Sequence, residues 1–362
     1  RIVLVDNRSS MLKVHQPLCM GFCTFFKSPV YSTSKFEGKS SFSFESTRNM
    51  SGGKEPLKLD GCETPEKVTY VDINGDVYTG YLVDGRRTGK GSCSYANGDV
   101  YEGDFVDGCL SGKGEFKWAN GNTYEGDWMN NERVGNGIYR YANGDIYDGD
   151  WVGDMKTGTG VFRWANGNVY EGDWVGNEIT GKGVLRHSNG NVYEGSFVNG
   201  VCHGSGLVSM INGNVYSGDW VGGVRTGKGV YRYASGDMYE GDFVHGQRMG
   251  KGVYRYANGD IYEGDWVDGM LAGKGTLTMS SGNVYKGDWV HDQKMGKGVY
   301  TWANGDVYEG DWVHGQKMGK GVYAWANGNV YEGDWVDDQK MGKCVYTWVN
   351  GDVYEGDWVD DQ

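Results

Sequence analysis

The sequence predicts an all-β fold: an elongated, single-layer antiparallel β-meander, a solenoid of 23-residue hairpin repeats, behind a segment of low structure at residues 1–66. Three observations predict it. Tyrosines recur every 23 residues from Tyr78 through Tyr101, Tyr124 and onward to Tyr354, thirteen times and without an insertion. Glycine makes up 64 of the 362 residues against only 4 prolines, which fits repeated tight turns. Aromatic residues reach 14%, too many for an unstructured tract.

With that Tyr taken as position 0, each unit divides into two strands. Position 2 is Gly in all thirteen copies (Gly80 to Gly356), and position 4 is Trp or Phe in all but the first, which has Leu82. Positions 0, 2 and 4 therefore share one face, while Glu, Asp and Val at 1, 3 and 5 share the other. In the second strand, Gly at 11 and 13 and aromatics at 15 and 17 lie on the ring face, opposite Lys at 12 and Val at 14. The link "ANGD" looks like a two-residue Asn-Gly turn, but an even loop would mix the faces. A three-residue Asn-Gly-Asp loop keeps them apart, with Trp at 17 opposite the next Tyr and Tyr at 15 opposite the next Gly. Rings opposite glycines then lie flat on the strand. About 25 strands at ~4.8 Å give a ribbon of roughly 120 Å, which one-sided bulk should curl into a trough.

Charge narrows the function classes. Net charge is −13, and residues after 66 carry 26 basic and 41 acidic side chains, a net −15. Such a surface repels phosphate backbones and anionic headgroups, so nucleic acid is excluded as a partner and direct lipid binding is disfavoured. Seven cysteines without regular spacing suggest a reduced setting, and cytoplasmic localisation is expected, with cytoskeletal or membrane association as variants. No run of 18 apolar residues is present. Residues 1–66 are Ser/Lys-rich and lack periodicity; "PLCMGFCTFF" weakly resembles a targeting segment, and Met50 begins an ordinary cytosolic start.

The motif "YEGDW…GKGVYTWANGDV" at 23-residue spacing resembles the MORN (membrane occupation and recognition nexus) repeat over residues 76–362. The resemblance implies an elongated single-layer sheet with a groove, serving as a scaffold, a cytoskeletal or ciliary component, or a membrane-junction protein. It also implies two alternatives. One is a membrane-associated, phosphoinositide-linked adaptor. The other is a regulatory array before a catalytic domain beyond residue 362, a phosphatidylinositol phosphate kinase or a SET-type lysine methyltransferase. Three places depart from the pattern: Leu82 and Cys93 in the first unit, Cys344 for a glycine near the end, and Leu185, His187, Val208 and Met210 for aromatics in units five and six.

The unit's chemistry-bearing residues have structural readings. Asp at position 3 and Glu or Asp at position 1 share a face with Lys at 12, and repeated exposed acid–Lys pairs are not a general acid–base site. "GKG" lacks the spacing and following helix of a phosphate loop. His245, His291 and His314 sit at position 6, too far apart for one zinc ion. Calcium on the "NGD" loops is the remaining metal reading, but a 23-residue period is not that of a calcium β-roll. No cofactor, metal or catalytic residue is assigned, and the array itself reads as non-enzymatic. The aromatic strip remains. A single layer cannot cover it, and exposed apolar strips mark binding surfaces. The expected function is a scaffold that holds protein partners along an aromatic-lined trough, through Tyr239, Phe243, Tyr262, Trp266, Tyr308 and Trp312. The expected partner is a basic amphipathic helix or extended segment, with a second copy of the chain as another way to cover the strip.

Overall fold

The computed structural model describes residues 66–358, so the expected low-structure segment at 1–66 lies almost wholly outside the described residues. Twenty-six strands run from Lys67–Val71 (β1) to Val353–Trp358 (β26). Each pairs antiparallel with its sequence neighbours, so the array is one open meander, as expected, with no helix among the described residues. The unit beginning at Tyr308 is representative, with strands Val307–Val313 (β22) and Gln316–Ala324 (β23).

The loop between units is odd, but it is not Asn-Gly-Asp. Tyr95 N–H donates to Asp99 O at 2.9 Å, enclosing Ala96, Asn97 and Gly98. The loop is therefore centred one residue earlier than expected, and the register moves by two. Tyr300 at position 15 faces Tyr308, and Gly298 at position 13 faces Gly310, in place of the expected Trp–Tyr and Tyr–Gly pairs. The reason lies in Asp99. Its carboxylate accepts the Ala119 N–H of the next loop at 2.8 Å, so it links neighbouring loops along the sheet edge instead of forming a loop tip. A shift of two preserves the faces.

Within a unit the strands join through two-residue turns at positions 6 and 7. Both residues have positive φ, for example His314 at 50° and Gly315 at 86°, the type I′ geometry whose twist matches a hairpin. A bulge follows. Gly310 pairs with Gly321, yet Asp311 pairs with Met318, leaving Gly319 and Lys320 as extra residues. Gly319 takes φ 60° there, a conformation that favours glycine. The Lys320 N–H that the bulge frees donates to Asp311 Oδ2 at 3.2 Å. Asp at position 3 is thus a plug for its own unit's bulge.

The core is a line of shingled rings. Tyr308 is fully buried: its Oη donates to Asp311 O at 3.1 Å, and Trp312 and Trp335 meet it edge-on at 5.3 and 5.1 Å. The ring lies over Gly310 and Gly321 of its own unit, where a Cβ would come within 2.4 and 2.6 Å of Tyr308 Oη. Rings on glycines are as expected, but each position-0 ring seats on Gly at 2 of its own strand and Gly at 13 of the next, not through the expected pairing of position 15 with the next unit's position-2 Gly. Cys344 replaces one such glycine, and Tyr331 beneath it stays buried with Trp335 edge-on at 5.3 Å.

Candidate binding groove

All six residues expected to bind a partner lie in this core. Tyr239, Tyr262 and Tyr308 are 0% exposed, and Phe243, Trp266 and Trp312 are 2–3% exposed. The expectation of an aromatic-lined trough is corrected accordingly. The physical reason is that each unit covers its neighbour's rings: Trp312 Nε1 donates to Gly298 O at 3.2 Å, which tucks its indole onto the preceding unit. No second layer is needed.

Position 9 completes the cover. It is basic in eight of twelve units, Arg133, Lys156, Arg248 and Lys294 among them, with Leu110, Ile179, Cys202 and Leu271 in the other four. The basic members lie over ring faces: Arg248 Cζ sits 4.4 Å from the Trp266 centroid, and Lys294 Nζ 4.6 Å from that of Tyr300. Burial lowers the Lys156 ammonium pKa to about 8, with Arg133 adding repulsion, and burial lowers that of Lys294 as well. This row was missed in the sequence because cations and apolar residues are mixed there. The shared trait is a long apolar stem able to lie on a ring.

The opposite face carries the concavity. A groove of about 2100 Å³ extends from Lys228 to Asp357, floored by backbone at the paired glycines and lined by positions 1, 12 and 14. A smaller groove of about 870 Å³ runs over the first units, from Lys67 to Asp148. In the larger one, Lys at 12 is already paired in the five units from Lys228 to Lys320. Lys251 Nζ meets Asp265 Oδ1 at 2.6 Å and Lys297 meets Asp311 at 2.7 Å, each reaching into the next unit. The Lys251 ammonium, bonded to the Asp265 carboxylate, holds its pKa below the ordinary carboxylate range. The acid–lysine pairing expected for this face is present. By contrast, Glu240, Glu263, Glu309 and Glu332 at position 1 are exposed and form no ion pair among the described residues. The groove is therefore a neutralised Lys–Asp line beside an acidic one.

No group of three or more metal-ligating side chains occurs among the described residues. His245, His291 and His314 occupy the two-residue turns, His314 Nδ1 lying 2.7 Å from Gln293 Oε1.

Twelve consecutive matches to the MORN repeat model tile residues 78–353 in 23-residue steps. The chain belongs to the MORN-repeat family. No curated protein matches it. Among solved structures, the TCP10 domain of Danio rerio CPAP in complex with a peptide of Danio rerio STIL is 12% identical, covering 68% of this chain and 94% of that one, with a TM-score of 0.26. The TCP10c domain of Drosophila melanogaster Sas-4 is 14% identical, covering 49% and 96%, at 0.24. A virginiamycin B lyase from Staphylococcus aureus is 12% identical, covering 84% and 98%, at 0.13. Scores this low carry no argument about the MORN array's function.

Proposed function

We propose that this MORN array is a non-catalytic scaffold that holds a basic segment of a protein partner in the groove of its polar face. One observation carries the reading. The position-12 lysines from Lys228 to Lys320 are tied to aspartates, while four glutamates on the neighbouring line, Glu240, Glu263, Glu309 and Glu332, are exposed and unpaired against a single unpaired Lys286, so this stretch of the groove presents net negative charge over an apolar shelf of Val253, Val299 and Val322. A cationic segment gains attraction there without displacing an internal ion pair.

Fluorescence anisotropy with a labelled arginine-rich peptide tests this. Glu263→Lys together with Glu309→Lys should weaken binding at least about tenfold, since both charges face the bound segment. Asp268→Lys with Asp337→Lys makes the same net-charge change at exposed type I′ turns and should alter affinity less than about twofold. Equal losses in the two variants would mean that only overall charge matters, and the groove would not be the site.

A further inference from the structure

The floor of the larger groove has a repeat that a ligand must match. Positions 1 and 14 face each other across every strand pair, giving the line Glu240, Val253, Glu263, Thr276, Lys286, Val299, Glu309, Val322, Glu332. Strands lie about 4.8 Å apart, so charges on this line recur about every 9.6 Å with a smaller side chain between them. Their signs run negative, negative, positive, negative, negative. Lys286 is exposed and forms no ion pair among the described residues. It stands where the neighbouring units carry glutamate.

Three backbone conformations can be laid along such a line. An α-helix returns to the same face after two turns, about 10.8 Å, and drifts by roughly 1.2 Å per unit, about 5 Å over four units. A β-strand covers the interval in three residues, but its side chains alternate, so every second charge would point away. A polyproline II helix has three residues per turn and a rise of 3.1 Å, so every third residue returns to one face after about 9.3 Å. Its drift is about 0.3 Å per unit. It also needs no backbone partner, and a sheet face offers none, because the strands' N–H and C=O groups are paired within the sheet.

Resting on the reading above, we propose that the groove binds a polyproline II segment of a partner protein with a charged residue at every third position, basic against the glutamates and acidic against Lys286. Lys286 is then the residue that sets register. The valines between the charges receive the apolar residues in between, with proline rings suited to the conformation and to the shelf.

The test uses a 13-residue peptide, Arg-Pro-Pro-Arg-Pro-Pro-Glu-Pro-Pro-Arg-Pro-Pro-Arg, whose charge pattern reads the same in both directions. Two comparison peptides accompany it, one with arginine at the centre and one of the same composition with its charges grouped at one end. The full chain should bind the Glu-centred peptide at least fivefold more tightly than the Arg-centred one, although the latter is the more cationic. Lys286→Glu should reverse that order. Glutamate is the commonest residue at position 1, and circular dichroism checks that the variant keeps its sheet. Tighter binding of the Arg-centred peptide by the unaltered chain, or no change of preference in the variant, overturns the proposal. Equal binding of the grouped peptide overturns the three-residue period while leaving the basic-segment scaffold standing. Binding of none of the three overturns both.

Discussion

Replacing Gly310 with alanine is the sharpest test of how the rings hold the sheet. The new Cβ would lie 2.4 Å from Tyr308 Oη, 2.6 Å from its Cζ and 2.7 Å from the Gly321 Cα. The third contact is backbone, so the ring cannot make room simply by swinging aside. If the ring leaves its seat, its bond to Asp311 O is lost, about 1 kcal/mol. Edge contacts with Trp312 and Trp335 are lost too, about 0.5–1.5 kcal/mol each. If it stays, the overpacking costs about 1–3 kcal/mol. The two routes together bracket a loss of about 1–4 kcal/mol. Gly321→Ala meets chiefly the Tyr308 ring, not backbone, and should cost less. Cys344 occupies the equivalent site in the next unit with its tyrosine still buried. Gly315→Ala meets nothing within 4 Å and carries only the strain of its φ of 86°, about 1 kcal/mol. Repeat arrays open locally, so amide exchange across β22 and β23 is the assay, supported by urea unfolding. Gly310→Ala within 1 kcal/mol of the unaltered chain, or no milder Gly321→Ala, would refute the seating argument.

Two predictions concern pH. Burial raises the phenol pKa of Tyr239, Tyr262, Tyr285 and Tyr308, so the folded state retains protons that the unfolded chain releases above about pH 10. Stability is full below pH 10 and falls above it, by about 5–6 kcal/mol at pH 11 for these four at ~1.4 kcal/mol each. Beyond what the more exposed tyrosines contribute, phenolate absorbance should therefore rise together with loss of the sheet signal; ionisation of all the tyrosines with the sheet intact would contradict it. Lys156 is shifted the other way, to about 8, so the unfolded chain holds the extra proton between about pH 8 and 10.5 and stability rises across that window. The shift corresponds to about 3 kcal/mol at neutral pH, and the ring faces it covers return about 0.5–2 kcal/mol. Lys156→Leu, which copies Leu110 and Leu271, should stabilise the array by about 1–2 kcal/mol at pH 7, with the gain fading towards pH 10 in urea titrations. A loss of stability at pH 7 would mean the ammonium's contacts outweigh its desolvation.

What the sequence disclosed was whatever depends on neighbours along one strand. The 23-residue phase, the two faces, the odd loop and the ring-bearing glycines all follow from alternation and sterics within a few residues. The register was off by two because Asp99 acts on the loop of the following unit, and no periodicity distinguishes a loop-tip Asp from one that clasps a neighbour. The groove was assigned to the wrong face for a related reason. Tyr308 and Trp312 are apolar enough to bind a partner, but whether they remain open depends on Trp335 and Gly298 in the adjacent units. Position 9 carried a readable signal in Arg133, Arg248, Lys294 and Leu271, since all four can lie along a ring. Charge alone concealed it.

Units this similar create a problem for any ligand they bind, because a segment can slide by one unit and find nearly the same surface. Over the line from Glu240 to Glu332, a uniformly basic segment would lose only one end contact by such a slide. Lys286 removes that degeneracy. A segment with its acidic residue against Lys286 that slides one unit places that acid against Glu263 or Glu309 and an arginine against Lys286. Two attractive contacts become two repulsive ones. Each exposed contact is worth up to about 1 kcal/mol, and both a lost attraction and a new repulsion count at each of the two sites, so the slide is disfavoured by up to about 4 kcal/mol, which favours one register. Specificity in a repeat array of this kind therefore resides in the units that break the pattern, and Lys286 is the break that lies on the acidic line.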